Sequence, residues 1–78
     1  MPHIVVYSPH LSRDKKVACA RELTDAFERT TGIEADLLVI HFEEHGYDNV
    51  SVGGKLLTDL DPALAEKERR RKETGEVG

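Results

Sequence analysis

The chain has no tryptophan, one cysteine, two phenylalanines and two tyrosines in 78 residues. So few aromatic rings can add little to a core. A lone thiol, Cys19, cannot close an intrachain disulfide, which excludes a disulfide-stapled secreted scaffold. No apolar run approaches the ~18–20 residues of a membrane-spanning helix. No basic segment followed by a long apolar stretch opens the chain, so a signal peptide is not expected. A reducing, cytoplasmic compartment is the expectation. The length suits one domain, since domains typically hold ~100–150 residues. Hydrophobic residues make up only 38%, and a chain this short buries roughly 60–65% of its unfolded surface. Without a disulfide, self-association is the expected way to bury enough of it.

What is present in quantity is charge, 33% of residues with a net charge of −4. The acidic excess lies within residues 1–60, while residues 61–78 balance Lys67, Arg69, Arg70, Arg71 and Lys72 against five acids. An acidic body argues against nucleic acid as a partner. The run Arg69 to Lys72 reads as a solvated helical extension, with Glu66–Arg70 and Glu68–Lys72 pairs at i,i+4. Residues 61–78 are therefore read as a charged extension, helical and then frayed from Thr74 to Gly78. It follows a domain spanning residues 1–60.

The fold class is α/β. His3-Ile4-Val5-Val6-Tyr7 is β-branched and predicts a strand. Ser12 predicts a helix N-cap, with Asp14 in the first turn. Apolar Val17, Ala20, Leu23, Ala26 and Phe27 fall at helical spacing from Arg13 to about Thr30, and Gly32 supplies a stop. Leu37 to Phe42, running on into Glu43 and Glu44, predicts the second strand. Val50-Ser51-Val52, Gly53-Gly54 and Lys55-Leu56-Leu57 predict a short hairpin. Asp61-Pro62 opens the tail helix. A β-α-β unit makes parallel strands with a right-handed crossover. One helix covers only one face of such a pair. Alternation puts Leu38, Ile40 and Phe42 on the covered face and Val39, His41 and Glu43 on the other. The uncovered face predicts completion by further copies of the chain.

The chain begins Met1-Pro2. Removal of Met1 exposes a secondary amine at the head of a strand. Such an amine is a base only when unprotonated, and burial against Ile4, Val6 and a partner subunit disfavours its cation. A base of that kind suits proton transfer beside a carbonyl.

These features together resemble the tautomerase superfamily, most closely the short 4-oxalocrotonate tautomerase-like members. They are the Met-Pro-x-Ile-x-Val strand, the helix opened by Ser12, the second strand ending in Glu43-Glu44, and Asn49-Val50-Ser51-Val52-Gly53-Gly54-Lys55-Leu56-Leu57. The resemblance covers Pro2 to about Asp59. It implies a β-α-β protomer assembled as a homohexamer, a trimer of dimers. It also implies an amino-terminal proline as general base, no metal or organic cofactor, and enol–keto proton transfer on a small 2-oxo acid. Relatives use the same proline for dehalogenation or decarboxylation. The family's loop arginine after the first strand is replaced by His10-Leu11-Ser12, and its second-strand arginine by Val39. The candidates for holding a substrate carboxylate are then His41, on the face of Val39, and Arg13, just inside the helix. The alternative is a non-catalytic oligomer that keeps the fold and has lost the site.

Four histidines raise the question of a metal. His41 and His45 lie ~13 Å apart along one strand, too far to share an ion. His3 comes near His41 only across neighbouring strands, so no metal site is expected. Cys19 reads as a small core residue of the helix.

Overall fold

The computed structural model describes residues 1–77, and the expected fraying at Gly78 lies outside the described residues. The element order is β1 (His3–Ser8), α1 (Arg13–Thr31), β2 (Val39–Glu44), β3 (Ser51–Val52), β4 (Lys55–Leu56), α2 (Leu57–Leu60) and α3 (Pro62–Thr74), with single 3₁₀ turns at Ala35–Leu37 and Tyr47–Asn49. Contacts divide the chain into two compact units. One holds Met1–Tyr7 and Ser12–Glu43, the other Ser8–Leu11 and Glu44–Gly78.

In the first unit, β1 and β2 pair directly. Val39 N–H donates to the Pro2 carbonyl at 3.0 Å. At the other end of the pair, within the second unit, His45 N–H donates to the Ser8 carbonyl at 2.9 Å. Start meets start and end meets end at one constant offset, so the strands are parallel and in register. Exposure alternates along β1 and along β2 from Ile40 onward, while Val39, expected on the uncovered face, is half-buried where its N–H is tied to Pro2. Ile4, Val6, Ile40 and Phe42 are half-buried, while His3, Val5, Tyr7, His41 and Glu43 are exposed. On α1 the half-buried apolar residues are Cys19, Ala20, Leu23, Ala26 and Phe27, the stripe that an inner sheet face of Ile4, Val6, Ile40 and Phe42 calls for. Val17, expected in that stripe, is 45% exposed. Its place is taken by Cys19, which stands at the i,i+4 position to Leu23.

Both ends of α1 are capped as the residues dictate. The Ser12 hydroxyl accepts from Lys15 N–H, and Gly32, at φ 76°, donates its N–H to the Glu28 carbonyl. Leu37, expected in β2, instead closes the 3₁₀ turn, whose first N–H, that of Ala35, donates to the Glu28 carboxylate at 2.7 Å. That turn uses backbone groups a longer β2 would have needed, so the strand starts two residues later.

In the second unit, Ser51 pairs with Leu56 and Val52 with Lys55 in an antiparallel hairpin. Gly53 and Gly54 have φ of 62° and 84°. Two consecutive positive φ values make a type I′ turn, the geometry that matches strand twist in a two-residue hairpin. Leu57, expected to continue the strand, opens the one-turn α2. Asp61 caps α3 through Ala63 N–H at 2.9 Å, with Pro62 at the first helical position. Gly75, at φ 78°, ends it by donating to the Arg71 carbonyl. Among the described residues, no hydrophobic side chain is fully buried. No helix is long and apolar enough to cross a membrane.

Gly46 packs where a side chain has no room. A Cβ there would stand 2.7 Å from Asp48 Oδ1 and 2.8 Å from Glu68 Oε2, and Glu68 is itself held by two partners. Gly46→Ala is therefore expected to destabilise the fold by about 1–3 kcal/mol through overpacking. A lowered urea midpoint at unchanged slope is the expected reading, and an unchanged midpoint would mean that the turn relaxes freely.

Candidate functional site

Pro2 stands immediately before β1, half-buried, with its carbonyl tied to Val39 N–H. Proline has no N–H to give to a ladder, so this lead position costs the sheet no bond. The parallel register also brings His3 opposite His41. Their rings stack with centroids 5.2 Å apart, and His3 Nδ1 lies 3.0 Å from His41 Nε2. One ring must donate and the other present a lone pair. His41 is thus close to Pro2 along the strands, but its ring is engaged with His3 on the exposed face. Pro2 belongs by alternation to the opposite side, with Ile4 and Val6.

Arg13 is exposed at the start of α1. The length of β1 puts ~20 Å of strand between Pro2 and the loop leading to Arg13. No hydrogen bond or ion pair among the described residues links Arg13 to Pro2. Among the described residues, no three His, Cys, Asp or Glu side chains gather as metal ligands would.

The second unit holds charged groups that the sequence reading left as a solvated extension. Glu68 is only 4% exposed. Its carboxylate accepts from Tyr47 N–H at 3.0 Å and from Arg71 Nε at 3.1 Å, and Arg71 Nη2 adds a second bond. The expected Glu66–Arg70 pair is present at 3.0 Å. The expected Glu68–Lys72 pair is not, because Glu68 is turned to Arg71 and the Tyr47–Asn49 turn, and Lys72 reaches Asp48. Arg69 is bound by Glu66 and Glu73. Each cation of the run thus has a carboxylate partner. At the other side of this unit, Glu44 accepts Leu11 N–H at 2.6 Å and holds the loop after β1.

These pairs depress carboxylate pKa values. The Arg71 hydrogen bond lowers Glu68 against the opposing effect of burial, and the Lys72 bond lowers Asp48. Hydrogen bonding to Arg69, and then to Arg70, pulls Glu66 from an ordinary 4.5 down to about 2. A depressed carboxylate stabilises the folded state above its unfolded pKa and loses that effect as pH falls through its folded one. Hydrogen exchange in α3 is therefore expected to accelerate relative to α1 as pH drops from 4.5 toward 2, the interval over which Glu66 is displaced. Equal protection of both helices throughout that range would contradict this role for the pairs.

The fold defines a class, short protomers built on a parallel β-α-β unit. Solved structures match this chain. The homologue of 4-oxalocrotonate tautomerase known as YwhB is 28% identical, with a TM-score of 0.72 over 77% of this chain and 100% of its own. DmpI from Archaeoglobus fulgidus is 34% identical, with a TM-score of 0.69 over 74% of this chain and 100% of its own. TomN, a 4-oxalocrotonate tautomerase homologue of the tomaymycin biosynthetic pathway, is 25% identical with a TM-score of 0.72. The chain belongs to the tautomerase superfamily. No family profile matches it, and no curated protein matches it at a significant level.

Proposed function

We propose that this protein is a cofactor-independent tautomerase that moves a proton between the enol and keto forms of a small 2-oxo acid, with Pro2 as general base. The observation that carries this reading is the position of Pro2. It heads β1, its carbonyl is fixed by Val39 N–H, and it is half-buried on the side of Ile4 and Val6. An amine kept there after loss of Met1 is both positioned and partly desolvated, the two conditions for a base that works near neutral pH. Superfamily membership and the 34% identity to DmpI add to it.

His41 and Arg13 are the groups proposed to hold the substrate carboxylate. His41 does so through Nδ1, the nitrogen turned away from His3, or by exchanging partners, and Arg13 does so only from another copy of the chain. That division of labour requires an oligomer, and a homohexamer built as a trimer of dimers is proposed. Residues 1–60 form the tautomerase-like domain in this reading, and residues 61–78 are an extension.

The test is ketonisation of the enol of a small 2-oxo acid by the purified protein, with its intact mass measured alongside. Turnover above buffer on a chain lacking Met1 supports the proposal. A retained Met1 excludes proline catalysis. A correctly processed chain with no turnover favours the non-catalytic oligomer.

A further inference from the structure

The second unit encloses a groove of about 220 Å³ against α3. It is smaller than the ~300–1,000 Å³ of sites for drug-sized ligands. Lys67, Arg70 and Arg71 line it from the helix, and His10, His45 and Tyr47 face them. Positions 67, 70 and 71 are spaced i, i+3, i+4, so one helix face presents three cations to one cavity. Glu68 and Glu76 are the carboxylates of the lining. Glu66 from outside the lining offsets Arg70 and Glu68 offsets Arg71, so the three cations differ in how much of their donor capacity is already used.

Donor capacity remains there after the intramolecular pairs are counted. Among the described residues, Lys67 has no carboxylate partner, and Arg70 spends only Nε on Glu66. Arg71 commits Nε and Nη2 to Glu68, leaving Nη1. Glu68 also takes Tyr47 N–H, so the side of the groove is anchored at both ends by one nearly buried carboxylate. The guanidinium of Arg71 is thereby held in place before any ligand arrives. A pre-positioned fork beside an unpaired ammonium and a second guanidinium is a receptor for oxyanions.

We infer that this groove binds a small oxyanion, a carboxylate or a phosphoryl group, through Lys67, Arg70 and Arg71. The site is built wholly from residues of the second unit and does not depend on Pro2 or on catalysis there.

The experiment titrates inorganic phosphate and succinate separately into the full chain at constant ionic strength, following backbone amide shifts by NMR. Saturable shifts are expected at His10, Tyr47 and residues 67–71, with a Kd of about 1 mM or tighter for at least one probe. Tighter binding of succinate assigns a carboxylate, and tighter binding of phosphate a phosphoryl group. Lys67→Gln and Arg70→Gln are each expected to weaken binding about tenfold. Glu76→Gln is expected to tighten it. Arg69→Gln removes the same charge from a residue outside the groove and should leave affinity within about twofold. The inference is overturned if neither probe saturates, or if Arg69→Gln weakens binding as much as Arg70→Gln. Binding that survives Pro2→Ala separates this site from the proposed catalytic one.

Discussion

Replacing Pro2 by alanine is expected to lower kcat/KM for enol ketonisation by about 10²–10⁴, the range that a positioned general base contributes. Alanine at this place still loses Met1 and still offers an amine. That amine is primary, and it lacks the pyrrolidine ring that fixes the orientation of the nitrogen. The Pro2 carbonyl bond to Val39 N–H is a backbone contact and survives the change, so β1 and β2 should keep their register. The fold is thus separable from the chemistry. The check is a kinetic comparison of the two proteins, with circular dichroism to show that both are folded. Equal rates would remove Pro2 from the reaction and shift the weight to the non-catalytic oligomer. Substitution of His41 or Arg13 should mainly raise KM, because each would hold the acid group in ground state and transition state alike.

Val5→Asp is expected to dissociate and unfold the protein. In the protomer Val5 is 47% exposed on the uncovered sheet face, close to Tyr7 at 75%. A charge on a surface residue of a free-standing protomer should change stability by less than about 0.5 kcal/mol. If copies of the chain cover this face, the same change removes up to ~1.5–3 kcal/mol of valine burial per subunit and adds an unpaired buried charge. The two cases predict opposite outcomes. The absence of a fully buried hydrophobic side chain among the described residues favours the second, because a protomer without such a core has little to set against the entropy of folding. Light scattering should show the wild-type assembly and its loss in the variant. The wild-type melting temperature should also rise with protein concentration, as mass action requires. A monomeric wild-type, or a variant as stable as its parent, would refute this.

Much of the first unit was legible in the sequence because its determinants are local. Ser12 and Gly32 mark α1 through their own capping chemistry, and the two-residue alternation of β1 and β2 assigns their faces. Gly53-Gly54 specifies its hairpin because two adjacent residues must adopt positive φ. Pro2 stood out for a chemical reason that needs no tertiary information, because the proposed loss of Met1 would turn its nitrogen into a secondary amine. The boundary of β2 was less legible. Whether Leu37 extends the strand or closes a turn depends on the Glu28 carboxylate, nine residues away along the chain.

The sequence by itself determined the β-α-β order, the caps, the hairpin turn and the candidate base, since each follows from bonded neighbours or from one periodicity. Only the tertiary structure decided the pairing of charges in residues 61–78. The i,i+4 rule offered Lys72 to Glu68, but the backbone of Tyr47 sits within reach of that carboxylate, and Arg71 can bind it in two places. Lys72 was left for Asp48. The stacking of His3 on His41 and the groove beside Lys67 are equally products of the fold. Opposite groups meet there only because register and packing bring together residues that are 38 positions apart in one case, and more than 50 in the other, where His10 faces Lys67. An ion pair is chosen by the distances available to it, and those distances come into existence only when the chain has folded.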